Sequence, residues 1–287
     1  MTQHHVLLNN FITFAANYNI MLKFISFGSG SSGNAYFLYT ETDGIIIDCG
    51  IGFRSMKKYL QSYGLNFSMI HNIFITHDHA DHVKSVGNLS ENYAIPVYAT
   101  KEVHQGINNN WCVKKKVAPG QVRYVEKGKT IQIGEFTITP FAVPHDSTDC
   151  VGYCVEHEGV VFTLVTDCGH VTDEIRSFVS KANYLVIEAN HEPEKLTAGP
   201  YPQYLKARIM SQTGHLSNAD CAQTIVENAT LGLKHVWLCH LSDENNHPEL
   251  ARKAVTSEMA SHGLVAGVDF VVEVLRRKVP SEIYELK

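Results

Sequence analysis

No stretch of the sequence sustains the roughly 18–20 apolar residues that a membrane-crossing helix needs, which excludes a helical membrane protein. The first twenty residues contain neither Lys nor Arg and no small-residue cleavage site, so a secretory signal is not expected there. Val6 to Ile20 is fairly apolar but is interrupted by Asn9, Asn10, Asn17 and Asn19. Met21 opens a strand-like stretch and could be the initiator, leaving residues 1–20 as an extension of unknown role. The seven cysteines are odd in number and include no C-x-x-C pair, a pattern that suits reduced thiols in a cytoplasm. Positive charge is also scarce. With 24 Lys and Arg against 29 Asp and Glu, the net charge is −5, and no global basic field would recruit nucleic acid. A polyanionic substrate would have to be held by local features or by metal ions. No Pro-, Gly- or Ser-rich linker and no fixed-period repeat divides the chain, so residues 21–287 read as one domain.

What is present is ordinary in bulk and unusual in one place. An apolar fraction of 44% and a charged fraction of 18% fit a globular protein with a sizeable core. The unusual run is Thr76-His77-Asp78-His79-Ala80-Asp81-His82, directly after the apolar Ile73-Phe74-Ile75. Three imidazoles and a carboxylate packed this closely behind a buried strand point to metal binding. His77 and His79 lie two apart, so an extended backbone sends both side chains off one face. Asp81 and His82 are adjacent, and a turn into a helix could swing both toward a second cation. Nitrogen and oxygen donors without thiolate suit Zn²⁺, with Mn²⁺ or Fe²⁺ as alternatives.

Along the chain, strands are expected over 22–27, 35–39, 44–47, 73–75 and 95–99, and helices over 53–63 and 83–93. The loop Gly28-Ser29-Gly30-Ser31-Ser32-Gly33-Asn34 lacks the spacing and the lysine of a P-loop. It reads equally as a tight connection or as a substrate-facing segment. Asp48, at the end of a buried strand, wants a partner: it could orient a histidine or cap the next helix. Residues 108–130 are basic, with Trp111, Lys114, Lys115, Lys116 and Arg123, and could follow a phosphate backbone or form a solvated face. Residues 131–140 alternate as an antiparallel pair would. Four apolar strands then end in chemistry: His77, Asp167, Glu188 and His240. Polar residues that repeatedly follow strand C-termini imply one sheet rim where they converge.

With the H-x-H-x-D-H spacing, the sequence resembles the metallo-β-lactamase fold superfamily of binuclear hydrolases. That resemblance implies an α/β (α+β) fold, an αββα sandwich of two facing mixed sheets with helices outside. It also implies two divalent ions per chain. His77, His79 and His145 (of Val143-Pro144-His145-Asp146) would hold one ion, and Asp81, His82 and His240 the other. Asp167 would bridge both, and a hydroxide between the ions would act as nucleophile. Cys168, beside Asp167, is the one sulfur close enough to compete as a ligand. Gly214-His215-Leu216-Ser217-Asn218, before a helix expected over 219–228, resembles the general-acid segment of the phosphodiesterase branch. Glu188 in Ile187-Glu188-Ala189-Asn190-His191 matches the acid's carboxylate partner. His215 would then protonate the leaving oxygen, the alternative being a helix-entry residue bonded to backbone. His191 could sit behind the ligands, contact phosphate, or simply be exposed.

Taken together with Gly199-Pro200-Tyr201-Pro202 and His240–Asn246, these segments resemble the bacterial WalJ (YycJ)-type branch. That branch implies a 5′-to-3′ DNA exonuclease linked to repair. Asp78 and Ala80 stand where Glu and Ser are commoner, both at non-ligand positions. A thioester or lactone hydrolase on the same centre, or a non-catalytic nucleic-acid-binding subunit, are the competing readings.

Overall fold

The computed structural model describes residues 21–287, so the expected extension over 1–20 lies outside the described residues. Two seven-stranded sheets dominate. The first contains β1 (Leu22–Gly28), β2 (Ala35–Tyr39), β3 (Gly44–Ile47), β4 (Asn72–Phe74), β5 (Val97–Ala99) and β6 (Val122–Tyr124). The second contains β7 (Ile131–Ile133), β8 (Phe136–Ala142), β9 (Val151–His157), β10 (Val160–Val165), β11 (Tyr184–Glu188), β12 (His235–Cys239) and β13 (Val271–Val274). The last strand, β14 (Tyr284–Leu286), returns to pair antiparallel with β1 at the edge of the first sheet. Both sheets are mixed. Strands β3 to β6 run parallel, as do β10 to β13, and hairpins supply the rest.

The apolar runs that marked the central strands follow from burial on both faces. Along β1, Phe24 faces the other sheet while Ile25 and Phe27 face helices; along β12, Trp237 and Cys239 point inward while Val236 and Leu238 point out. Three cores result. The one between the sheets joins Phe24, Phe74, Tyr153, Phe162 and Trp237. The other two lie under helices on the outer faces, such as Phe53–Ser62 on one side and Asn218–Asn228 on the other. This is the expected αββα layering. No helix among the described residues is long and apolar enough to cross a membrane.

One element departs from expectation. The single helix foreseen over 83–93 is two pieces, Ala80–Val83 and Val86–Asn92. Ser85 interrupts it, because its N–H donates to Cys49 O at 2.8 Å and its hydroxyl to Ile51 O. The chain is thereby pinned to the segment after β3. The first short turn carries Asp81 and His82, as the adjacent pair required.

Candidate metal centre and acid pair

The chemistry-bearing residues follow strand ends, and three of them do so in an unusual backbone state. Asp48 (φ 63°), Asp167 (φ 51°) and His240 (φ 52°) all occupy the left-handed region that non-glycine residues rarely adopt. Such strain persists only where the surroundings hold it. Asp48 N donates to Phe74 O at 2.8 Å, and His240 N donates to Ser29 Oγ at 2.9 Å.

All seven expected donors converge. The donor atoms of His77, His79 and His145 lie within 4.8 Å of one another, as do those of Asp81, His82 and His240, and those of His77, His82 and Asp167. His79 Nδ1 and His145 Nε2 face each other at 3.2 Å. Asp167 lies between the groups, with Oδ2 3.2 Å from His82 Nε2 and Oδ1 3.7 Å from His145 Nε2. Asp81 Oδ2 is 3.4 Å from His240 Nε2 and 3.6 Å from His82 Nε2.

The surroundings fix which nitrogen His145 and His82 present. His145 Nδ1 donates to Gly214 O at 3.0 Å, freeing Nε2 for the cluster. Asp48 is fully buried, with Oδ2 2.7 Å from His82 Nδ1, and it accepts from Thr76 N at 2.9 Å. Of its two open roles the geometry contains the histidine contact. The helix Phe53–Ser62 starts at Gly52 with no side-chain cap.

Several features suit cation binding. His77 Nε2 is buried with no hydrogen-bond partner. Burial would raise the pKa values of Asp81 and Asp167, but the charges of His82 and His240 outweigh it, holding Asp81 at about 2 and Asp167 well below the carboxylate range. Burial opposes charge on His240 too, yet Asp167, Asp81 and Glu188 push it up to about 10. His82 and His240 are thus held toward the charged form beside the carboxylates, while burial keeps His77 and His145 toward the neutral form. A divalent ion would displace the protons of His82 and His240. Among the described residues no cysteine joins a donor group. Cys168 Sγ turns to His170 O at 3.1 Å, and burial pushes its thiol up.

Beside the donors lies a carboxylate–imidazole pair. Glu188 is fully buried, its Oε1 2.8 Å from His215 Nδ1 and 2.9 Å from His240 Nδ1. Its Oε2 accepts from Cys168 N at 2.8 Å and Leu216 N at 3.1 Å. Burial alone would raise its pKa. The His215 charge and the bonds from both imidazoles outweigh burial and hold Glu188 at about 2. His215 is raised in turn: burial works against the charge, but Glu188 outweighs burial. Its Nδ1 is committed to Glu188, which leaves Nε2 for a substrate. Ser217 caps the following helix, which starts at Asn218, accepting from Asp220 N at 3.1 Å.

Other expected residues lie apart. Lys115 pairs with Glu91 at 2.7 Å, and Lys116 Nζ donates to Ile107 O at 3.0 Å and Asn110 O at 2.7 Å, closing a helix end. Lys114 is exposed, and none of the three joins the cluster. His191 is buried and is not among the donors.

Three contacts escaped the sequence reading. Asn34 N donates to Asp81 O at 2.8 Å, and its side-chain nitrogen is 2.9 Å from His82 Nε2, so the Gly-rich loop braces the histidine run. Asn190 Nδ2 donates to His240 O at 2.8 Å. Arg208 grips Asp146 with two bonds, of 2.5 and 2.9 Å, next to His145. The glycines that precede Asn34 hinted at the first of these; nothing local marked Arg208.

A family model described as "Beta-lactamase superfamily domain" matches residues 44–241. The chain is 36% identical over 253 residues to "Exodeoxyribonuclease WalJ" of Streptococcus pneumoniae, covering 88% of this chain and 94% of that protein. It is 30% identical over 262 residues to "Exodeoxyribonuclease YycJ" of Bacillus anthracis, covering 91% and 98%. The metallo-β-lactamase fold protein YhfI of Bacillus subtilis superposes with a TM-score of 0.68 at 16% identity, covering 93% of this chain and 99% of that one. With its two-layered sheets and its donors at the strand ends, the chain belongs to the β-lactamase superfamily of metallo-β-lactamase-fold proteins, in the WalJ-like branch.

Proposed function

We propose that this protein is a metal-dependent phosphodiesterase that degrades DNA from the 5′ end. The observation that carries the reading is the 2.8 Å bond between Glu188 Oε1 and His215 Nδ1 beside the donor cluster. Breaking a phosphodiester expels a poorly stabilised alkoxide, which needs a proton. Glu188 keeps His215 protonated and aligned, and His215 delivers that proton to the departing oxygen. The names of the relatives from S. pneumoniae and B. anthracis support the same substrate class.

His77, His79 and His145 would hold one divalent cation, Asp81, His82 and His240 a second, and Asp167 both. Zn²⁺ suits these donors first, with Mn²⁺ or Fe²⁺ as alternatives. Bound there, such ions would ionise a water near neutral pH and draw charge from the phosphoryl oxygens. Asp48 and Gly214 hold His82 and His145 in the tautomers that such binding needs. Residues 21–287 would act as one hydrolase domain. Seven free cysteines favour a reducing compartment, the cytoplasm. Lys114 remains a candidate contact for a DNA backbone.

DNA labelled at either end, incubated with the protein and Mn²⁺ or Zn²⁺, tests the reading. Mononucleotides should be released from the 5′ end, and failure to release nucleotides with any metal would sink it. A thioester or lactone hydrolase would leave the Glu188–His215 pair without a task, and a glutathione thioester assay separates the two. A non-catalytic subunit has no need to keep all seven donors in place.

A further inference from the structure

A pocket of about 360 Å³ opens beside the acid pair. His215 lines it, and none of the seven donors does. Its walls are mixed: Val171 and Met210 give an apolar side, while His191, Gln212 and Gln223 bring polar groups. A side chain at Gly169 would come within 2.4 Å of Gln212 O, so this wall depends on glycine. His191 is 3% exposed, and its Nδ1 is buried with no hydrogen-bond partner. Its backbone is fixed by Asn218 N, which donates to His191 O at 2.9 Å.

We infer that this pocket is the leaving-side subsite, which receives the nucleoside whose 3′ oxygen departs. The inference rests on the phosphodiesterase reading. In that reaction a hydroxide oxygen forms the new bond to phosphorus and the P–O3′ bond breaks. The electron pair stays on the 3′ oxygen, which takes the proton from His215. The departing nucleoside must therefore lie within reach of His215, and the pocket that His215 lines is the space on offer. Its volume is at the small-ligand end of binding sites, enough for one nucleoside and too little for a strand. The base would pack on Met210 and Val171 and present a polar edge to the wall that His191, Gln212 and Gln223 line. A subsite sized for one nucleoside suits removal of one nucleotide at a time.

The test compares a 5′-phosphorylated thymidine dinucleotide with bis(p-nitrophenyl) phosphate, which carries no nucleoside, using the Mn²⁺-loaded protein. Met210 is half exposed, so Met210→Trp fills the pocket without burdening the core. That variant, and His191→Leu independently, should lower the ratio of kcat/KM for dinucleotide over bis(p-nitrophenyl) phosphate by about ten-fold or more, the scale of a lost pocket contact. Thymidine 5′-monophosphate should inhibit the parent protein and inhibit Met210→Trp far less. If both substrates fall together, or the mononucleotide inhibits both proteins equally, the subsite is refuted while the phosphodiesterase stands. If the parent hydrolyses neither substrate, the phosphodiesterase reading fails and takes the subsite with it.

Discussion

Glu188 Oε1 lies between two imidazoles, 2.8 Å from His215 Nδ1 and 2.9 Å from His240 Nδ1, and thereby joins the proposed acid to the proposed metal ligands. Removing His215 tests the first connection without touching any of the seven expected donors, although His215 lies within 4.8 Å of the ligand atoms of Asp167 and His240. His215→Ala should lower kcat on DNA by ~10²–10⁴-fold, the usual scale for general acid catalysis. Metal content, read by mass spectrometry, should stay at the parent level. Unchanged kcat would remove the acid role.

The same carboxylate sets a pH dependence. A general acid works while protonated and fails as pH rises through its pKa, and Glu188 raises that pKa against the effect of burial. In Glu188→Gln the alkaline limb of the kcat profile should move to lower pH, so activity falls more at high pH than at low. Because Glu188 also touches His240, metal content is measured alongside. A limb that stays in place with metal retained would show that Glu188 does not tune His215.

Asp48 offers a test away from the reacting atoms. It is fully buried and accepts from His82 Nδ1 at 2.7 Å. Asp48→Asn puts an N–H donor where an acceptor is needed and releases His82 from its tautomer. Metal affinity, read by competition with a chelating dye, should weaken ~10–100-fold, as for other carboxylates behind a histidine ligand. Parent-like affinity would reduce Asp48 to a packing role.

Gly50 lies directly against the histidine run. An added Cβ would lie 1.5 Å from Asp81 O, a backbone atom with nowhere to retreat. Gly50→Ala should therefore displace Asp81 and His82, lowering stability by about 1–3 kcal/mol or more. Metal binding should fall with it, although Gly50 is no ligand. Thermal unfolding with and without added Zn²⁺ reads both effects, and a variant that unfolds and binds like the parent would refute the close contact.

Much of this site was readable in the sequence because its donors sit where patterns break. An apolar strand ending in His77, Asp167, Glu188 or His240 announces a polar group with no local reason to be there. Single strands were readable too, since Tyr184–Glu188 and His235–Cys239 are apolar on both faces, whereas their arrangement in two facing sheets came from the family resemblance. What could not be read depends on where distant segments meet. The interruption at Ser85 comes from carbonyls of Cys49 and Ile51, more than thirty residues earlier. Arg208 reaches Asp146 across 62 positions, and its helix has no marking that predicts it. Asn34 ends a loop that reads as a tight connection or a substrate-facing segment, and nothing in it shows that Asp81, 47 positions later, lies against it.

Four of the seven donors arrive with one layer of the sandwich and three with the other. His77, His79, Asp81 and His82 come from the sheet built on β1 to β6, and His145, Asp167 and His240 from the sheet that contains β8, β10 and β12. The centre therefore cannot mature before the two halves have docked, and any ion taken up fastens them like a rivet. Damage at Trp237, packed 4.8 Å from Phe24 in the seam between the layers, would reach the cation through that seam.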